Sequence, residues 1–337
     1  MQRCLQLARQ GLGKVAPNPM VGSVIVHNGK IIGEGFHQAH GGPHAEVEAV
    51  NSVSKENRKL LPETTMYVSL EPCNHKGKTP PCTELILKHQ IPEVVIATAD
   101  PNKEVTGNGI ARLKEAGVKV KVGALEAEAK TLNARFFTYH QKQRPYIVLK
   151  WAQSRDGYLA RQGEQTPLSN DAVNRLVHRW RSEESSIMVG TNTALIDNPK
   201  LNSRLWPGNP PLRVVVDRYL RLSPDLNIFD QSQPTMVLTE EKKKGLRNLS
   251  FVQVRFGANL ISDLLNALYE RKIQSMLVEG GGVLLQQFLD GDLWDETRVI
   301  STPHLLEDGL PAPPPHGIVH REETILSDTV TWYRPHA

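Results

Sequence analysis

Four residues in the first quarter of the chain have the types and spacing for metal chemistry. His44 and Glu46 stand in "HGGPHAEVEAV", and Cys73 and Cys82 in "SLEPCNHKGKTPPCTELI". One histidine and two cysteines make three good zinc ligands, and three ligands leave the fourth tetrahedral position free for water. Zinc lowers the pKa of such a water until hydroxide exists near neutrality. Glu46, two residues past His44, is placed as the acid/base that takes a proton from water and hands it to a leaving amine. H-x-E followed by P-C-x-x-C is the signature of zinc deaminases, in which the glutamate is not a ligand. Here eight residues separate the cysteines instead of two. A closed structural site, with His75 as a fourth ligand, is the alternative that this spacing leaves open.

The elements around these residues must bring them together. "HAEVEAVNSV" has helical spacing and starts at His44, whose place is the first turn. Cys73 follows the strand "TTMYVSL", and Cys82 opens the helix "CTELILKHQ" after two prolines. Two helix starts and one strand end therefore converge, and helix N-termini favour the thiolate that binds metal. Before them, "VGSVIV" and "KIIGEGF" read as strands joined at Asn28-Gly29, a strong hairpin signal. After them come the strand "EVVIATAD", the helix "GIARLKEAG", the strand "VKVKVG" and a last helix "EAEAKTLNARFFTYH". Alternating strands and helices predict a sheet with helices on its faces.

The polar stretch "HQKQRP" marks a boundary, giving domains 1–143 and 144–337. The second half restarts with "PYIVLKWAQS" and the turn Asp156-Gly157. It continues through the helix "SNDAVNRLVHRWRSE" and the strands "SSIMVG", "LRVVVD", "TMVLTE" and "SFVQVRF" to the helix "LISDLLNALYERK". The strand "QSMLVE" then runs into Gly280-Gly281-Gly282 and the helix "VLLQQFLDG", with "ETRVIST" and "TVTWYRP" as closing strands. Glycines after a strand let the backbone approach a phosphate at a helix N-terminus, though a tight turn alone would also use them. The run lacks the G-x-G-x-x-G fingerprint, so it does not indicate a Rossmann domain. Glu279 stands at the strand's carboxyl end, where ligands of α/β proteins bind.

Composition narrows the function class. In 337 residues there are three cysteines, too few for a disulfide framework, and the net charge is +4. Lys and Arg are scattered apart from Lys242-Lys243-Lys244, which argues against a nucleic-acid binder. No apolar run reaches the length of a membrane span, and the polar start "MQRCLQLARQGLGK" is unlike a secretory signal. The expectation is a cytoplasmic protein. Oligomeric state is not legible, and a homo-oligomer is compatible with the sequence.

The chain closely resembles the bifunctional deaminase/reductase family of riboflavin biosynthesis. The resemblance rests on "APNPMVGSVIV", "GFHQAHGGPHAEVEA" and "SLEPCNHKGKTPPCTELI" in the first half, and on "KWAQSRDGYLA", "VGTNTALIDNPKLNSR" and "LVEGGGVLL" in the second. The long cysteine spacing is that family's pattern. The resemblance implies an α/β protein of two domains: an N-terminal cytidine-deaminase-like α/β/α domain and a C-terminal dihydrofolate-reductase-like α/β domain. It implies one Zn2+ per chain and NADPH, with phosphorylated pyrimidines as substrates. The two reactions would be deamination of 2,5-diamino-6-(5-phosphoribosylamino)pyrimidin-4-one and then reduction of its ribosyl group to ribityl. A single-function deaminase related to the tRNA adenosine enzymes, with a degenerate reductase half, is the rival; it would carry strong basic patches.

By the same resemblance, His44, Cys73 and Cys82 hold zinc and Glu46 is the acid/base. Asn18, His37, His75 and Lys78 contact the pyrimidine and phosphate. Ala152, Thr193, Asp197, Gly281, Gly282, Val283, Leu284, Leu285, Gln286 and Gln287 line the cofactor site. Lys150, Arg181, Arg204 and Glu279 face the reductase substrate. Arg181 has a solvated helix face as its alternative, because Arg179 and Glu183 flank it. Ser154-Arg155-Asp156-Gly157 stands where many members read Ser-Leu-Asp-Gly, and Gln165 and Pro167 stand where Ser and Trp are common. Arg218, after "LRVVVD", is a candidate partner for a 2′-phosphate or a plain surface residue.

Overall fold

The computed structural model describes residues 1–75, 80–102 and 105–336. It divides into two compact units, Met1–Gln143 and Arg144–Ala337.

The first unit runs α1 (Gln2–Ala8), β1 (Gly22–His27), β2 (Lys30–Phe36), α2 (Ala45–Ser52), β3 (Thr65–Val68) and α3 (Cys82–Lys88). It continues with β4 (Glu93–Ile96), α4 (Asn108–Glu115), β5 (Lys119–Val122), α5 (Glu126–Leu132) and α6 (Ala134–Lys142). The five strands lie in the order β2-β1-β3-β4-β5, antiparallel at the β1 pairings and parallel from β3 to β5. Asn28 and Gly29 both take positive φ, 48° and 75°, as the predicted two-residue hairpin requires. Alternate strand residues face opposite ways. Ile25, Met66, Val68, Val94 and Ile96 pack with α2, α3 and α4, while Val24 and Tyr67 pack with α1, giving three layers. Helix α2 lies so close to β2 that a Cβ on Gly35 would come within 2.3 Å of the Ala49 nitrogen. The expected single last helix is two. Asn133 breaks it, because its side chain bonds the backbone N–H and C=O of Met20 at 2.8 and 2.9 Å.

The second unit runs β6 (Tyr146–Gln153), β7 (Tyr158–Ala160), α7 (Asp171–Glu183), β8 (Ser186–Val189), α8 (Thr191–Asp197), β9 (Leu212–Val216), β10 (Thr235–Thr239) and β11 (Leu249–Gln253). Then come α9 (Leu260–Glu270), β12 (Ser275–Val278), α10 (Gly282–Asp290), β13 (Glu296–Ser301), β14 (Leu310–Pro311), β15 (Ile318–Ile325) and β16 (Asp328–Arg334). Nine strands form one sheet, β11-β10-β9-β8-β12-β6-β13-β16-β15. The seven from β11 to β13 are parallel, and β16 and β15 add antiparallel. Helices α9 and α10 cover one face through Leu264, Leu268, Leu285 and Phe288, all fully buried. Burying side chains of this size contributes about 1.5–3 kcal/mol each. On the other face Trp180 of α7 meets Trp332 of β16 edge to face and lies under the Arg298 guanidinium. Strand β15 does not stand out in the sequence, because its residues 318–324 are all exposed at the sheet's edge.

Candidate active sites

In the first unit helical period aims the chemistry inward. Glu46, Ala49 and Val50 are all buried, so residues three and four apart on α2 share the core-facing side. On α3 the fully buried Ile86 lies one turn from Cys82 and holds that thiol inward. His44 is the N-cap residue of α2 with extended backbone, rather than a member of the first turn. Its Nδ1 lies 3.4 Å from Cys73 Sγ and 3.3 Å from Cys82 Sγ, and the three ligand atoms fall within 4.8 Å of one another. Tetrahedral zinc at ordinary bond lengths spaces nitrogen and sulfur by about 3.5 Å, so the cluster fits the ion. Cys73 is pushed down by its hydrogen bond with Cys82, against burial and with help from His44; Cys82 is pushed up by holding the shared proton. Glu46, 3% exposed, is pushed up to about 7 by burial and by the neighbouring Cys73 charge.

A second group of residues frames this cluster. His37 is 2% exposed, and its Nδ1 meets Pro43 O at 2.8 Å while Nε2 meets Asn18 Nδ2 at 3.0 Å. The carbonyl demands a proton on Nδ1, so Nε2 accepts from the Asn18 amide and fixes which way that amide points. Burial holds His37 below its ordinary pKa, consistent with the neutral ring. The His37 ring stands edge to face on His44 at 5.7 Å. His75 is exposed and lines, with Asn74, Asn108 and Arg112, a cavity of about 300 Å3. Lys78 lies outside the described residues.

Two acids here escaped the sequence reading. Glu71 is 4% exposed and accepts four backbone N–H groups, from Asp100, Gly107, Gly109 and Ile110, at 2.9–3.2 Å. It thereby caps α4 and ties it to the segment that carries Cys73. The approach is close enough that a Cβ on Gly109 would meet Pro72 O at 2.0 Å. Asp100 is pushed up to about 6 by burial, with the nearby Glu71 and Cys73 charges adding to it. The only signal for Glu71 was its position two residues before Cys73.

In the second unit the candidates gather along the carboxyl edge of the parallel strands. Arg181 meets Glu279 through two parallel bonds, Nε to Oε1 and Nη2 to Oε2, both 2.8 Å. Lys150 Nζ lies 3.7 Å from Glu279 Oε2, and the three side chains are 14% (Lys150 and Arg181) and 8% (Glu279) exposed. Arg181 is therefore not on a solvated face: it follows the buried Val177 and His178 on α7. Burial would raise Glu279, yet Arg181 and Lys150 hold it at about 2; burial lowers Lys150. The fork of Arg181 is spent on Glu279, and its Nη1 goes to Asn202 O at 3.3 Å. Arg204 is exposed and donates to Asn202 Oδ1 at 3.0 Å. His178, 4% exposed and also unread in the sequence, leaves Nδ1 without a hydrogen bond. Burial, with Arg181 and Arg204, pushes it down to about 4.

Gly281 is the N-cap of α10, and its N–H donates to Thr193 Oγ1 at 3.1 Å, joining the starts of α8 and α10. Gly282 and Val283 complete the first turn, with Val283 79% exposed. Leu284 and Leu285 turn into the core, and Gln286 bonds Asp290 further along the helix. Only the opening of the Gly281–Gln287 stretch thus faces the strand edge. Ala152 is half-buried on β6, and Asp197 ends α8, raised in pKa by burial. Gln165 and Pro167 are exposed. Asp156 accepts the N–H groups of Leu306 and Glu307, a turn role that matches the positive φ of Gly157.

Both halves of the chain match known proteins. Residues 145–323 match the model of the RibD C-terminal domain, and residues 1–98 that of the cytidine and deoxycytidylate deaminase zinc-binding region. The riboflavin biosynthesis protein RibD of Aquifex aeolicus is 38% identical over 92% of this chain and 88% of its own. That of Actinobacillus pleuropneumoniae is 39% identical over 91% and 83%. A Thermotoga maritima crystal structure, of a diaminohydroxyphosphoribosylaminopyrimidine deaminase/5-amino-6-(5-phosphoribosylamino)uracil reductase, superposes with a TM-score of 0.91 at 38% identity, covering 100% of this chain and 97% of that one. Acinetobacter baumannii RibD also gives 0.91, at 32% identity, covering 100% and 98%. Among the described residues no helix is long and apolar enough to cross a membrane.

Proposed function

The chain belongs to the RibD family, the bifunctional deaminase/reductases of riboflavin biosynthesis, and on that footing we propose which residues carry each reaction. Residues 1–143 form the zinc-dependent deaminase and residues 144–337 the NADPH-dependent reductase. The substrate is 2,5-diamino-6-(5-phosphoribosylamino)pyrimidin-4-one, which loses its 2-amino group as ammonia; its ribosyl group is then reduced to ribityl.

His44, Cys73 and Cys82 hold the zinc ion. When bound, zinc supplies a water activated for attack at neutral pH. Glu46, buried two residues past the ligand His44, accepts the proton that the attacking water gives up and returns it to the departing amino group. His37 fixes the Asn18 amide, whose carbonyl oxygen and second N–H read the pyrimidine edge. His75 and Lys78, between the cysteines, bring donors to the phosphorylated ribose.

In the reductase, NADPH supplies the hydride when bound. The backbone at the start of α10 receives its pyrophosphate, with Thr193 fixing Gly281, while Ala152 and Asp197 border the same edge. Glu279 orients the sugar hydroxyls. Lys150 Nζ gives a proton to the sugar ring oxygen as the ring opens; its lowered pKa suits a donor. Arg204, exposed beside Asn202, takes the phosphate, and Arg181 keeps Glu279 ionised. A cytoplasmic site of action belongs to this reading, since the thiols of Cys4, Cys73 and Cys82 are all unpaired.

The observation that carries the proposal is the convergence of three zinc-ligating atoms beside the buried carboxylate of Glu46. One assay tests it: the diamino substrate is supplied while ammonia and NADPH oxidation are followed together. Ammonia release followed by NADPH consumption is expected. Ammonia without NADPH oxidation at saturating cofactor would leave a deaminase alone.

A further inference from the structure

The segment between the end of α8 and Arg204 holds its backbone in the left-handed region at two non-glycine residues. We propose that Asn202, inside it, is the positioning residue that presents Arg204 to the substrate phosphate, and that its neutral amide leaves the charge of Arg204 free for that anion. This rests on the reading of Arg204 as the phosphate contact.

The backbone comes first. Asn198, the C-cap of α8, takes φ 39°, and Leu201 takes φ 50°. Asparagine adopts that region readily, whereas leucine seldom does. The surrounding fold holds both. Asn198 accepts twice from Asn227, at its side-chain and backbone oxygens, each at 2.7 Å. Leu201 is 2% exposed, and its carbonyl accepts from Gln233 Nε2 at 3.1 Å. Gln233 is itself buried and donates from the same nitrogen to Pro211 O at 3.1 Å. Ser203, on the other side of Asn202, is buried too. Asn202 is thereby set against α7, where its carbonyl accepts from Arg181 Nη1 and faces the buried His178 ring. Backbone kept in a sparsely populated region by its surroundings is characteristic of ligand clamps.

The side chain of Asn202 then acts on Arg204. Its Oδ1 accepts from Arg204 Nη1 at 3.0 Å. That bond leaves the Nε–Nη2 edge of the guanidinium for two parallel bonds to a phosphate. The Asn202 carbonyl is meanwhile fixed on Arg181, whose fork grips Glu279. One residue therefore sets the separation between the phosphate contact and the carboxylate that orients the sugar. The two arginines are held by opposite means. Arg181 faces a carboxylate at 2.8 Å, which takes up its charge. Arg204 faces an uncharged oxygen, which aims the guanidinium without neutralising it or repelling an anion. Aiming a long, exposed side chain in advance also lowers the entropy lost when the ligand binds. A chance contact on an exposed loop would instead leave substrate affinity unchanged when Asn202 is altered.

The test is steady-state NADPH oxidation by the whole chain on the deaminated substrate, with and without its phosphate. The variants are Arg204→Gln, Asn202→Ala, Asn202→Asp, and Arg204→Gln combined with Asn202→Ala. Asn202→Ala should raise KM for the phosphorylated compound about 10-fold, keep kcat within about twofold, and leave kcat/KM for the unphosphorylated compound unchanged. Asn202→Asp, which keeps the shape and adds a negative charge, should raise that KM further. In the Arg204→Gln background, Asn202→Ala should add less than about twofold, because the two act as one unit. An unchanged KM in Asn202→Ala, beside a raised KM in Arg204→Gln, overturns the role of Asn202 while the phosphate reading of Arg204 stands. Full additivity of the two changes, or an equal loss on both compounds, marks a merely structural effect and overturns it as well. Wild-type KM in Asn202→Asp overturns the part given to the neutral amide. An unchanged KM in Arg204→Gln overturns both readings.

Discussion

In the first unit the proposed chemistry rests on a histidine, two cysteines and a glutamate within two short stretches, whereas in the second it is proposed to rest on ordinary ion pairs drawn from distant strands and helices. His44, Cys73 and Cys82 are soft donors that few structural roles require together, so their order along the chain announces them. Lys150, Arg181 and Glu279 are common residues, and 98 positions separate Arg181 from its partner. The first site depends on what its residues are. The second depends on where the sheet puts them and on the burial that strengthens their charges.

That contrast can be broken in three places. The largest effect is expected from His44→Ala or Cys82→Ser, which remove a ligand outright. Zinc content should fall from one per chain to near zero by metal analysis, and deamination should vanish while NADPH oxidation on the deaminated substrate survives. Next is Glu279→Gln. It leaves Arg181 and Lys150 facing an uncharged partner in a nearly closed pocket, and breaking such a buried pair costs about 3–5 kcal/mol. Denaturant unfolding should register the loss in the second unit, with reduction abolished and zinc retained. The smallest effect concerns His178. Its folded pKa of about 4 lies below the value of about 6.5 expected when unfolded, so the neutral ring contributes stability that is fully present above pH 6.5. That contribution is lost as pH falls toward 4. Wild-type melting temperature should drop by a few degrees across that window, and His178→Gln should flatten the drop.

The same contrast explains what could be read in advance. Strand and helix types followed from periodicity, and the Asn28-Gly29 hairpin from the two positive φ values it needs. Residue type pointed to the candidate zinc site, whose three ligand atoms the fold brings within 4.8 Å of one another. What stayed hidden depended on long-range partners. Glu71 looks like any acid before a proline until four N–H groups from residues 100–110 converge on it. Asn133 sits in good helical sequence and ends a helix only because Met20 lies against it. Leu284 and Leu285 matched a family motif, yet the helical period turns them away from the strand edge. Arg181 had a solvated face as its alternative beside Arg179 and Glu183, and only the neighbouring end of β12 makes it a buried partner of Glu279.

The central claim is that one chain carries two separable reactions, with Glu46 moving protons in only the first. Glu46→Gln keeps the shape of the side chain and removes its basicity, so it tests this most directly. With zinc confirmed at one per chain, ammonia release should fall by about a hundred- to ten-thousand-fold. NADPH oxidation on separately supplied deaminated substrate should stay at the wild-type rate. Ammonia release near the wild-type rate, or loss of both reactions with zinc still bound, would contradict the account.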